Sequence, residues 1–186
     1  MINTLHILKC AVAAILISLL CALSSVAQDS DLDLLFEQLA EADNSHWEDT
    51  ENQIWQNWSR SGSDSMDLLL ERGREAISVG DVTTAIGHLT ALIDHAPEFA
   101  EGWNARATAY FHAGLYGPAV RDIQTTLSLN PRHFGAMSGL GMIMEQLGYP
   151  EDALIAYREA LAIHPHRPDV ITAVERLDKE VGGIDL

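Results

Sequence analysis

The sequence predicts an all-α fold: a short solenoid of three stacked helix pairs, with a helical extension before it and a capping helix after it. Three observations carry that prediction. Glycines recur 34 residues apart at Gly80, Gly114 and Gly148. Prolines keep the same spacing at Pro97, Pro131 and Pro165, and between the two sets Ala85, Ala119 and Ala153 hold the same register. A fixed period of this size marks supersecondary units that stack because none can bury its apolar face alone.

Residues 1–27 of the 186-residue chain are expected to be a signal peptide. Lys9 is the one charged residue there, Cys10 to Leu23 is almost wholly apolar, and Ser25, Val26 and Ala27 place small residues where a signal peptidase cuts. Cleavage is therefore expected after Ala27. An uncleaved anchor is the alternative, but 14 apolar residues fall short of the roughly 20 that span a bilayer. Bulky Leu20 argues against a lipoprotein signal at Cys21. Cys10 and Cys21 both lie in this segment, so the mature chain has neither a disulfide nor a thiolate metal site.

The net charge is -16, and loss of Lys9 with the signal makes the mature chain one unit more acidic. Such a chain repels phosphate backbones and anionic lipid, so no nucleic acid partner and no stable membrane insertion after cleavage are expected. Residues 28–62 form an acidic extension containing tryptophan. Leu32, Leu35, Phe36 and Leu39 share one helix face, and a second stripe follows in Trp47, Ile54, Trp55 and Trp58. The tryptophan stripe is expected to pack the extension onto the first repeat as a cap; otherwise Trp47, Trp55 and Trp58 are an aromatic anchor for a partner or a second copy. "SRSGSDS", residues 59–65, reads as a loop, with Asp64 or Ser65 as the cap of the next helix.

The repeat array is placed at 63–166, with first helices near 66–79, 100–113 and 134–147 and second helices near 82–95, 117–129 and 150–163. Gly80, Gly114 and Gly148 follow each first helix, where a left-handed residue ends it; Pro97, Pro131 and Pro165 stop each second helix. Gly73, Ala107 and Gly141 recur in the middle of first helices, where glycine costs about 1 kcal/mol against alanine. Close approach of the paired helix, through Ala85, Ala119 and Ala153, is the expected compensation. Residues 167–186 supply a capping helix over 168–181, with Val170, Val174, Leu177 and Val181 on one side and charge on the other, and a tail, "GGIDL".

Trp103, Ala107, Tyr110, Ala119 and Pro131 in residues 100–131, and Leu140, Gly141, Ala153, Tyr157, Ala160 and Pro165 in residues 134–165, resemble tetratricopeptide repeats (TPRs). Residues 66–97 form a weaker copy, through Gly73, Gly80, Asp81, Ala85 and Pro97. Three departures stand out: Arg72 and Arg106 occupy positions that are often apolar in the family, and Thr126 replaces a small alanine. The arginines are expected to pack their stems and send their heads to an edge.

The resemblance implies a right-handed superhelix whose first helices line a concave groove that binds another protein or a peptide. By the period, the groove residues are Leu70, Asn104 and Ser138 in one row, then Arg74, Thr108 and Met142, then Ile77, Phe111 and Glu145, with His112 at the edge. Leu70, Ile77, Phe111 and Met142 offer apolar contact, while Arg74, Asn104, Thr108 and His112 offer hydrogen bonds. The cluster of Lys, Arg and Asn with which relatives clamp a peptide carboxylate is missing.

No catalytic constellation is present, and neither enzyme activity nor a cofactor or metal is expected. His164 and His166 flank Pro165 without a completing Cys, Asp or Glu and are expected to be exposed. His88 and His95 are two turns apart, which no single ion bridges as it would an i, i+4 pair. The expected function is a non-catalytic scaffold or adaptor in the bacterial periplasm or the extracellular space. A promiscuous holdase chaperone is the alternative, and a hydrolase or metalloenzyme is a remote third.

Overall fold

A computed structural model describes residues 31–41, 43 and 45–183, and among those residues it has helices and no strand. The expected signal segment with its two cysteines, and the last three residues of the tail, lie outside them. The helices are α1 (residues 31–40), α2 (Trp47–Trp58), α3 (Asp64–Ser78), α4 (Val82–His95), α5 (Ala100–His112), α6 (Tyr116–Leu129), α7 (Phe134–Gln146), α8 (Pro150–Ile163) and α9 (Pro168–Gly182).

Helices α3–α4, α5–α6 and α7–α8 pack as hairpins, and each second helix packs on the first helix of the next pair, with α9 against α8. Identical turns make the hairpins. Gly80, Gly114 and Gly148 adopt φ of +79°, +70° and +78°, and the next residue donates its amide five residues back, from Asp81 to Ala76 O, Leu115 to Tyr110 O and Tyr149 to Met144 O, each at 2.9 Å. These are Schellman terminations, in which a left-handed residue lets the chain satisfy the last carbonyls of the helix. The first array helix begins at Asp64 with Ser63 as its N-terminal flank, one residue before the expected cap Asp64 and two before Ser65. Asp67 fastens the loop instead, accepting from Ser61 N at 2.7 Å and Ser61 Oγ at 2.6 Å.

The small residues inside first helices do allow close approach, but their contacts sit one turn beyond the alanines. A Cβ on Gly73 would fall 2.5 Å from Leu89 Cγ, and one on Gly141 2.6 Å from the Tyr157 ring. Both distances are far inside van der Waals contact, so glycine is what lets these pairs close. Arg72 is exposed, while Arg106 departs from expectation. Its guanidinium lies largely buried, with Nε 2.7 Å and Nη2 3.0 Å from the Asp122 carboxylate and Nη1 3.2 Å from Thr90 Oγ1. The bidentate partner on α6 makes burial favourable where snorkelling would otherwise win. Thr126 is buried with its hydroxyl donating to Asp122 O at 2.9 Å, so the hydroxyl fits an alanine position by bonding the preceding turn.

The N-terminal hairpin corrects the cap prediction. Phe36, Leu39, Ile54 and Trp58 form one buried cluster with Phe134, at the start of α7, and Ile163 packs beside them. The tryptophan helix therefore lies mainly along the turns that lead into the third repeat and α9, and meets the first repeat at its end, where Arg74 donates to Ser59 Oγ at 2.9 Å.

Candidate functional site

The inner faces of α5, α7 and α9 enclose a cavity of about 470 Å³, and α2 forms one of its walls through Trp55. Of the groove residues expected from the period, Asn104, Thr108, Phe111, His112, Ser138 and Met142 line it. Met142 is 46 % exposed, Phe111 is half-buried, and the Phe111 ring meets His112 at 5.7 Å between centroids.

Four expected residues stand elsewhere. Glu145 accepts from the Tyr157 hydroxyl at 2.8 Å and pairs with Arg176 of α9. Leu70 is buried in the core of the first repeat with Leu89, Leu92 and Ala105, because the first pair closes tightly over that position. Arg74 and Ile77 line a neighbouring depression of about 320 Å³ shared with Trp55, Glu101 and Thr108. Arg74 is not a free hydrogen-bonding group for a ligand: Nη2 lies 2.5 Å from Glu101 Oε1 and Nη1 2.9 Å from Ser59 Oγ. Of the tryptophans, only Trp55 reaches the cavity. Trp58 is buried, stacked on His133 at 4.3 Å, and Trp47 stacks on His166 at 6.3 Å.

Behind the cavity lies a polar network that the period does not announce. Glu101 is buried, and its carboxylate meets Arg74, the Asn104 amide at 3.3 Å from both oxygens, and His133 Nε2 at 2.8 Å. His133 Nδ1 accepts from Ala136 N at 3.0 Å, which assigns the ring proton to Nε2 and makes His133 the donor to Glu101. Trp55 seats above this network because residue 135 is glycine: a Cβ there would fall 2.6 Å from Trp55 Cη2.

His164 and His166, expected to be exposed, are instead part of the hairpin seat. His164 is fully buried against Trp47 and Phe134, and His166 Nε2 lies 2.7 Å from Glu41 O. Arg167 follows, holding Asp169 with Nε at 3.1 Å and Nη2 at 2.7 Å and reaching Glu51 of α2 with Nη1 at 3.4 Å. Burial alone would raise the Glu51 carboxyl, but His164 3.7 Å away, the Trp55 indole N–H and the Arg167 charge overrule it and hold it below its ordinary value. The Arg167 side chain likewise holds Asp169 low, and burial followed by a hydrogen bond to Glu145 pushes the Tyr157 hydroxyl well up.

Sequence reasoning missed the α9 wall of Arg167, Asp169, Val170 and Ala173, and the wall at Trp55. A signal for the latter exists: Gly135 stands in the first turn of α7, one period after Glu101 and two after Asp67, where nothing in the repeat itself asks for glycine.

A tetratricopeptide-repeat family model matches residues 70–120 and 116–168. The chain belongs to the tetratricopeptide-repeat family. It is 35% identical over 153 residues to a TPR repeat-containing protein of Rhizobium etli, spanning 82% of this chain and 75% of that protein. It is 34% identical over 92 residues to the small glutamine-rich tetratricopeptide repeat-containing protein 2 of Saccharomyces cerevisiae, spanning 50% of this chain but only 27% of that one. Among solved structures, the first TPR of Spaghetti (RPAP3) bound to the HSP90 peptide SRMEEVD has 23% identity and a TM-score of 0.61 over 64% of this chain and 95% of that one. MamA has 19% identity and a TM-score of 0.59 over 72% and 78%. These structural likenesses are of fold. No helix among the described residues is long and apolar enough to cross a membrane.

Proposed function

We propose that this protein is a non-catalytic scaffold or adaptor of the bacterial periplasm or cell envelope, holding a peptide segment of a partner protein in the cavity between α5, α7 and α9. The cavity itself carries the reading. Its volume of about 470 Å³ and its walls of Trp55, Phe111, Met142, Ile143 and Val170 around Asn104 and Thr108 have the composition of ligand sites, mostly apolar with a few convergent polar groups. The walls are helices held by packed neighbours, so little ordering free energy is spent on binding. The Spaghetti domain of similar fold holds a peptide, which supports a peptide as the ligand class here. Export is supported by the signal pattern of residues 1–27, and N-terminal sequencing of the protein recovered from its host checks it. Gln28 is the expected first residue.

The test of the groove is Phe111→Glu with Met142→Glu. Both side chains sit on its surface, so the helical circular dichroism is expected to stay intact while the partner co-purifying from envelope extract is lost. Retention of that partner by the double variant moves the site off the concave face.

One observation favours a second reading, a holdase chaperone for exported chains. Met142 stands exposed beside Phe111, and a flexible thioether adapts to many apolar shapes. Suppressed aggregation of several unrelated unfolded proteins, lost in the same double variant, would favour the chaperone over the scaffold.

A further inference from the structure

Most side-chain hydrogens around the cavity are already committed to the protein. Asn104 turns its amide nitrogen to the Glu101 carboxylate, which only accepts, so the carbonyl oxygen is the atom left facing outward. The Thr108 hydroxyl donates to Asn104 O at 3.1 Å, the Ser138 hydroxyl to Phe134 O at 2.9 Å and the Tyr157 hydroxyl to Glu145 Oε1 at 2.8 Å. Each keeps lone pairs for a ligand and no hydrogen. Arg167, the one guanidinium in the lining among the described residues, spends a hydrogen of each of its three nitrogens on Asp169 or Glu51; two of its five hydrogens remain, and the two carboxylates offset its charge. His112, at the rim, is able to play either part.

We infer that the cavity selects a ligand that brings donors and positive charge: a lysine or arginine side chain within an otherwise apolar peptide segment. This deepens, and rests on, the reading of the cavity as a peptide site. The oxygens of Asn104, Thr108 and Ser138 accept from the cationic head, and the rings of Trp55 and Phe111 in the same lining offer it their faces. Beyond the neighbouring depression at Arg74 and Glu101 lies a further one lined by Asp67, Glu71 and Glu75 beside Arg74, so a basic segment continuing past the cavity meets acid. The net charge of -16 draws such a ligand in from solution. A carboxylate placed in the cavity would meet these acceptors and Asp169, with two Arg167 hydrogens against them.

The test uses four fluorescein-labelled peptides, nine residues of leucine and alanine with a central lysine, arginine, norleucine or glutamate, titrated against the purified protein by anisotropy. A charge-assisted hydrogen bond separates the lysine or arginine peptide from the norleucine one by roughly tenfold or more in Kd, and that margin shrinks as salt is raised. Asn104→Leu and the exposed, isosteric Thr108→Val each narrow it, and the second keeps the test intact if the first disturbs the Glu101 network. Norleucine or glutamate binding as well as lysine overturns this inference and leaves the peptide site standing. Failure of all four to bind removes the peptide site, and the inference with it.

Discussion

The repeat array and the N-terminal hairpin both bury aromatic side chains, and they hold them by different physics. In the array, α3 closes on Leu89 over Gly73 and α7 closes on Tyr157 over Gly141, with no room for a Cβ at either glycine. The pieces fit sterically, so each pair stands or falls with its neighbours. In the hairpin, Trp58 lies on His133, Trp47 on His166 and the Arg132 guanidinium 4.2 Å over Phe36, with ion pairs from Arg132 to Asp33 and from Arg167 to Glu51. Trp58 Nε1 in the hairpin and His164 Nε2 at the end of α8 are buried with no hydrogen-bond partner among the described residues, a cost that falls where hairpin and array meet. A seam of separate contacts on turn residues is one that opens without unfolding what lies beneath it.

Gly141→Leu is the strongest way to break the array. Its side chain enters the Tyr157 ring, and the expected loss is about 3 kcal/mol, read as a fall in Tm with the helical signal still lost in a single transition. Glu101→Gln comes next. The buried acceptor of Arg74, Asn104 and His133 loses its charge, and about 2 kcal/mol is expected in urea denaturation, less than for a fully buried pair because Arg74 is 38% exposed.

Gly135→Ala separates the two regions by sign. The new methyl displaces Trp55, reddening tryptophan emission, while alanine favours α7 by up to about 1 kcal/mol, so Tm holds or rises. A Tm loss as large as that of Gly141→Leu would show that hairpin and array are one cooperative unit.

Acid gives the smallest effect. Glu51 and Asp169 titrate below their ordinary values of 4.5 and 3.8 in the folded chain. Their contribution is present in full above those values and is lost as pH falls through the lower folded ones, about 1 kcal/mol or less because both are partly exposed. Near-ultraviolet circular dichroism from tryptophan is expected to decline below about pH 4 before the far-ultraviolet helical signal does.

The array was legible because its determinants repeat: a positive-φ glycine, a proline and a small residue each return every 34 residues. The cavity was legible in part for the same reason, since Asn104, Thr108, Phe111, Ser138 and Met142 follow from the period. What the period missed is what occurs once. Trp55 reaches the cavity from outside the array, and His133, together with His164, which read as an exposed turn histidine, is buried by a hairpin whose seat no local pattern specifies. Arg106 was misread because its partner Asp122 lies 16 residues on, across a helix pair. Leu70 was misread because the period assigns a face but not how tightly each pair closes over it.

A photo-crosslinking residue placed at Phe111 in the native host, compared with one at Val79, which is 74% exposed outside the cavity, tests the binding role of the concave face most directly. The account predicts one dominant protein adduct from position 111 and none from position 79. No adduct at position 111, or the same adducts at both, would contradict it.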